Sequence, residues 1–305
     1  MKLPNIWTHM IYGEQVAKKA GISFDASYQN VFRFGCQGPD PFFYYNFWPW
    51  KKEKAPVRIG GMIHKQNCGT FLLKMLQYAK ESQDKLLQAY VLGFVAHHLL
   101  DRNAHPYIIY KSGEEGNKHQ LLENIIDTLI LKKYHGLDTW KKPVYKEIEI
   151  GKLLPHSIRK MLTSLIKEIH QVEDENLEQI ISKSYQDMIL ALKVLFDPTG
   201  IKHKLLRKQI EPFSYSKHIP DKDYLNLQKT EWYHPADLNE KSNESFYEIF
   251  DRALNEGLPL FKEINQYFHG QDNLASIEKL LSNISYETGK DCSFELEHRY
   301  FDPII

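Results

Sequence analysis

Apolar residues recur along the chain at intervals of three and four, the spacing that gives a helix one buried face. Residues 9–20 carry this pattern, with Thr8 placed to cap the start and Gly21 just past the end. Two more helices are predicted over about 61–81 and 84–104, the second capped by Ser82 or Asp84 and stopped by Pro106. The Gly-bearing stretch Ser112–Asn117 leads into a helix over about 118–133, and further helices fit 151–172, 175–196, 243–267 and 273–284. Residues 22–60 read as irregular and rich in Gly, Pro and aromatics. Pro198, Gly200, Pro212, Pro220 and Pro235 loosen 198–242. Strand alternation is nearly absent. The pattern predicts an all-α protein, a multi-helix bundle over 1–210 with a helical extension over 211–305, or one domain throughout.

A chain of 305 residues can bury a substantial core. With 42% hydrophobic and 26% charged residues it falls outside the disordered and low-complexity classes. Lys+Arg and Asp+Glu both number 39, so the basic excess of a general nucleic-acid-coating protein is missing. The three cysteines, Cys36, Cys68 and Cys292, are too few and odd in number for a disulfide framework. The first residues show no apolar core of a signal peptide. Apolar runs such as Tyr90–Ala96 fall far short of the roughly 20 residues needed to span a bilayer. These features predict a protein of a reducing cytoplasm.

On the helix carrying AYVLGFVAHHLLDRNAH, Leu87, Tyr90, Phe94, His97 and Asp101 share one stripe at about 100° per residue. The apolar members make that stripe the buried one, so an imidazole and a carboxylate one turn apart are aimed inward. His105 follows one turn later if the helix lasts. In KHQLLENIIDTLI, His119 and Glu123 repeat the i, i+4 pair ahead of Ile126 and Ile130. A buried carboxylate needs a positive partner. Imidazole and carboxylate together are good zinc ligands. One His–acid pair has a simple reading as a structural hydrogen bond. Two pairs and His105 favour a metal. Neighbouring His98 points about 100° away and reads as a supporting or core histidine.

Upstream, Asp40 sits in the rigid turn GCQGPDPFF, and His64 and His9 lie near helix starts; each alone is unremarkable. Cys36 and Cys68 stand four residues from Asp40 and His64, so thiolate ligation and plain burial are both open.

The ordered series His9, Asp40, His64, HHLLD ending at Asp101, His105, and HQLLE ending at Glu123 resembles the zinc-dependent phospholipase C family of bacteria. That family has an all-α, P1 nuclease-like fold holding up to three zinc ions. The resemblance spans roughly residues 1–130; beyond about 200 it reaches only Trp232 and Pro235. It implies one zinc held by Asp40, His64, His97 and Asp101, and a second by His105, His119 and Glu123. A third would use His9 and a bridging Asp101. Secreted members complete that third site with an N-terminal tryptophan, whereas Trp7 here is internal, so two zinc ions are expected. The Asp101–His105 spacing is also shorter than in secreted members, which implies a differently built helix end. Asp40 is the implied catalytic carboxylate.

The implied reaction is hydrolysis of a phospholipid or related phosphodiester. A single-strand nuclease and a non-catalytic, zinc-stabilised helical binding protein are the alternatives. Directly after Asp40 runs FFYYNFWPWKK, residues 42–52. Phe42, Phe43 and Tyr44 are candidate substrate contacts. The whole aromatic run reads either as a membrane-facing lip, aided by Lys51, Lys52 and Lys54, or as an anchor for a long loop. The C-terminal third shows amphipathic helices with no motif; Tyr233, His234 and His298 are candidates to border a site.

Overall fold

The computed structural model describes residues 6–51, 53, 55–206 and 209–305. Among these, helices run in the order α1 Trp7–Lys19, α2 Ala26–Gly35, α3 Val57–Lys65, α4 Cys68–Ser82, α5 Lys85–Ser112 and α6 Lys118–His135. They continue as α7 Tyr145–Ile148, α8 His156–His170, α9 Leu177–Leu195, α10 Ile201–Leu206, α11 Phe246–Phe268 and α12 Leu274–Leu281. A small antiparallel hairpin, β1 Trp232–His234 with β2 Asp237–Ser242, interrupts the loose region; Trp232 pairs with Ser242 and Tyr233 with Lys241. The all-α expectation holds.

Helix α5 is the axis of the molecule. From Leu87 to Ser112 nearly every residue is buried, as expected of a helix covered on all sides. Helices α1, α2, α4, α6 and α11 all lie against it. Asp84 caps its start by accepting from the Leu86 N–H at 2.9 Å, as one of the two expected caps. Pro106 does not stop it. Proline lacks the N–H that would reach the Arg102 carbonyl, and Gly289 packs against that freed carbonyl instead; a Cβ there would lie 2.3 Å from its oxygen. Tertiary packing therefore carries the helix six residues past the proline, and His105 stays in register with His97 and Asp101.

Two other expectations are corrected. The stretch 22–60 is not all irregular: it holds α2, a 3-10 turn over Asp40–Tyr44, and the start of α3. Thr8 does not cap α1, which begins at Trp7. The cap comes from α6 instead. The buried Asp127 carboxylate accepts from the N–H groups of Ile6, Trp7 and Thr8 at 2.9, 3.0 and 2.7 Å, and from the Thr8 hydroxyl at 2.6 Å. Tyr215 donates to the same carboxylate at 2.6 Å. Burial raises the Asp127 pKa, and these hydrogen bonds only partly offset that.

Helix α2 meets α5 at two glycines. A Cβ at Gly35 would stand 2.2 Å from the Tyr90 carbonyl oxygen, and one at Gly93 2.2 Å from that of Phe32. The two backbones touch, and the turn after α2 is thereby laid over His97 near the middle of α5.

Candidate metal centre

Five secondary-structure elements deliver eight polar side chains to one cavity. Helix α1 brings His9, the turn after α2 brings Asp40, and α3 brings His64. Helix α5 brings His97, Asp101 and His105, and α6 brings His119 and Glu123. All are buried except His119, which is nearly so.

Asp101 lies at the middle. Its Oδ2 faces His97 Nε2 at 3.0 Å and His64 Nε2 at 3.8 Å, while Oδ1 faces His9 Nε2 at 3.2 Å and His105 Nε2 at 3.6 Å. Asp40 faces His64 at 3.2 Å and His97 at 3.6 Å. Glu123 faces His119 at 3.1 Å and His105 at 3.7 Å. Three sets of donor atoms lie close enough to hold an ion: His9 with Asp40 and His97; His64 with His97 and Asp101; His105 with His119 and Glu123.

The far side of three of the five rings is pinned. His64, His97 and His105 each direct Nδ1 at a backbone carbonyl, of Gly60 at 2.7 Å, Cys36 at 3.1 Å and Tyr286 at 3.0 Å. A carbonyl can only accept, so Nδ1 carries a proton and Nε2 is the nitrogen turned into the cavity. This is the orientation that a metal-binding histidine requires. His97 Nε2 is buried and makes no hydrogen bond of proper geometry with either carboxylate beside it. Gly38, at a φ of +51°, packs flat on the His97 ring; a Cβ there would be 2.3 Å from Cδ2. The donor set, the pinned tautomers and the unsatisfied Nε2 all fit a divalent cation.

The electrostatics agree. Burial would raise Asp101, but His105, His97 and His9 outweigh it and hold the carboxyl well below its usual range. Burial would likewise raise Glu123, but His119 and His105 bring it down to about 2. Burial would lower His9, but the neighbouring Asp101, Asp40 and Glu123 carboxylates raise it. The cavity therefore stabilises anionic carboxylates and rewards any positive charge placed among them.

Other sequence candidates settle elsewhere. Phe43 lines the cavity, its ring 5.3 Å from His64. Phe42 points instead into an apolar pocket with Phe34, Tyr90 and Phe94, and Tyr44 is buried outside the cavity lining. A 3-10 turn sends successive side chains about 120° apart, so one of three adjacent rings faces the site. Tyr45 and Phe47 are buried, Trp48 is partly so, and Trp50 is 69% exposed. Lys51 is exposed; Lys52 and Lys54 lie outside the described residues. Neither Cys36 nor Cys68 joins a metal-binding set among the described residues. His98 donates from Nε2 to the Ile284 carbonyl, 2.8 Å away; burial lowers its pKa to about 3, so it is a neutral core histidine. His234 holds the Thr288 carbonyl at 2.8 Å, and His298 sits on a neighbouring groove against Glu114. Trp7 gives its N–H to Asp127.

Sequence reasoning missed two contributors. Asp127 continues the His119–Glu123 stripe at i+4, a signal that was present. The hairpin over 283–292 had no motif. It brings the Tyr286 ring to 5.0 Å from His64 and 5.8 Å from His97, and places Glu287 on the cavity wall, where Lys65 pairs with it at 3.0 Å.

An all-α frame here turns five imidazoles and three carboxylates into one buried cavity that could hold divalent metal ions. A family model described as zinc dependent phospholipase C matches residues 8–193, more than half of the chain, and the protein belongs to that family. No curated protein and no solved structure gives a significant match.

Proposed function

We propose that this centre hydrolyses phosphodiesters as a phospholipase C does, on a phospholipid or a related diester. The observation that carries the reading is the convergence of eight side chains, Asp101 at their middle, with three of the five imidazoles fixed from behind. On this reading Asp40, His64, His97 and Asp101 hold one zinc, and His105, His119 and Glu123 a second. His9 with Asp101 leaves a third position with only two side-chain ligands. Zinc so held lowers the pKa of a bound water toward about 7 and screens the phosphate charge. Asp40 orients the attacking water and takes its proton. Phe43 forms the apolar wall beside the scissile group. Cleavage of a phospholipid on the glycerol side yields diacylglycerol and a phosphorylated headgroup.

Charge favours this reading over a single-strand nuclease. Glu287 on the cavity wall also borders a groove lined by Glu114, Asp291, Glu295 and Glu297. Those carboxylates repel a polyanionic strand, whose binding depends on cationic phosphate contacts. Zinc-loaded protein is expected to cleave phosphatidylcholine dispersions and bis-p-nitrophenyl phosphate, and to leave single-stranded DNA intact. Preferential DNA cleavage would establish the nuclease. Inactivity of a fully metallated sample on all three would identify a zinc-stabilised binding protein.

No described helix is long and apolar enough to cross a membrane. Contact with lipid would fall to the exposed tip of the aromatic run, where Trp50 stacks on Trp48 at 4.9 Å with Lys51 alongside. The Trp48→Ala/Trp50→Ala double variant is expected to bind anionic vesicles about tenfold more weakly with an unchanged melting temperature. Unaltered vesicle binding in a sedimentation assay would mean that the two rings only anchor the loop.

A further inference from the structure

Two thiols that the proposed chemistry does not use meet beside the centre. Cys68 and Cys292 are 224 residues apart in the chain, yet their sulfur atoms are 3.4 Å apart. Cys68 opens α4 and is buried. Cys292 closes the 283–292 hairpin and is partly exposed on the acidic groove, a space of about 860 Å³.

Both sulfurs sit on rigid supports. The Cys292 N–H donates to the Asn283 carbonyl at 2.8 Å, and the Ser285 N–H to that of Lys290 at 2.8 Å, which closes the hairpin. On the α4 side, Gly69 donates its N–H to the Asn283 side chain at 3.1 Å. A Cβ on Gly69 would stand 2.0 Å from the Ser282 carbonyl, so α4 and the hairpin meet backbone to backbone. The same hairpin pins the centre. Its Tyr286 carbonyl receives His105 Nδ1, and its Tyr286 N–H and Ser285 hydroxyl bind the His64 carbonyl at 3.0 and 3.2 Å.

We propose that Cys68 and Cys292 are a reversible disulfide site that staples this hairpin to α4 and so regulates how firmly the metal-facing histidines are held. The oxidant is a low-molecular-weight disulfide. The Cys292 thiolate attacks one of its sulfurs, forming a mixed disulfide and expelling one small thiolate. The Cys68 thiolate then attacks Cys292 Sγ, closing the protein disulfide and expelling the second. Two protons leave the cysteines and two small thiols form, so the small disulfide is reduced as the pair is oxidised. The order of attack follows the surroundings. Its hydrogen bond with the Cys68 thiol lowers Cys292 below the ordinary thiol range, whereas burial raises Cys68. Cys36 is buried elsewhere, and burial likewise raises it, which makes it an internal control.

The test treats full-length, zinc-loaded protein with cystamine, a cationic disulfide suited to the acidic groove, and then with dithiothreitol. Peptide mapping without reduction is expected to show one linked pair containing Cys68 and Cys292, an intact mass lower by about 2 Da, and Cys36 unmodified. Zinc release to a chelator is expected to slow by about threefold or more in the oxidised form, because the hairpin opens less often. Cys292→Ser is expected to show neither effect. A stable cystamine adduct on Cys292 with no linked peptide would overturn the proposal, and equal release rates in the two forms would overturn the coupling to the centre. The release readout rests on the metal reading. A sample binding no zinc refutes that reading, while the peptide map still decides the cross-link.

Discussion

Asp101→Asn is expected to remove at least about one zinc per chain and to lower phosphodiester hydrolysis by ~10³-fold or more. The substitution keeps shape and burial but removes the charge that four imidazoles share, from His9 and His105 on one oxygen to His64 and His97 on the other. An amide also turns two N–H donors toward groups that are needed as acceptors. His119→Ala is the comparison. It touches Glu123 alone among the carboxylates and should deplete only the position shared with His105. Metal per chain by inductively coupled plasma mass spectrometry separates the outcomes. Wild-type zinc content in Asp101→Asn would show that these groups are structural ion pairs, and the hydrolase reading would fall with them.

The site was legible where chemistry is written in side chains at helical spacing. His97, Asp101 and His105 on one stripe, and His119 and Glu123 on another, announce themselves because acids and imidazoles stand where Leu or Ile would pack. Asp40 and His64 needed the family resemblance, since nothing local distinguishes them. Pro106 misled because the rule that proline ends a helix is a local one, and here the lost hydrogen bond is tolerated by packing against Gly289. Helix α2 was missed because the glycines and prolines after it dominate the composition of its neighbourhood.

The hairpin over 283–292 was hidden for a different reason. It reaches His105 and His98 with backbone carbonyls, of Tyr286 and Ile284, and every residue has a carbonyl. The same holds for Gly60 and Cys36 behind His64 and His97. Four imidazoles are thus set by groups without side-chain identity. This support shell is a property of the fold, and a sequence can encode it only through whatever brings those backbones close.

Gly93 is such a determinant, and Gly93→Ala is expected to destabilise the protein by about 3 kcal/mol or more. Two effects oppose each other. Alanine is the better helix former by about 1 kcal/mol. Against that, its Cβ would lie 2.2 Å from the Phe32 carbonyl oxygen and 2.7 Å from both the Cys36 nitrogen and the Gly35 carbonyl carbon. These are backbone atoms that cannot rotate away, so α2 must move off α5 and the steric cost wins. The melting temperature should fall by about 5–10 °C. The centre should suffer in step, because Cys36 holds His97 Nδ1 and the turn that follows leads directly to Asp40. Zinc content measured on the same folded sample should therefore drop. Gly61→Ala supplies the control: it lies in α3 beside His64 with nothing within 4 Å of its Cβ, so the helix-propensity gain should stand alone. A Gly93→Ala protein as stable and as zinc-rich as wild type would mean that the α2–α5 contact does not set the position of His97 and Asp40.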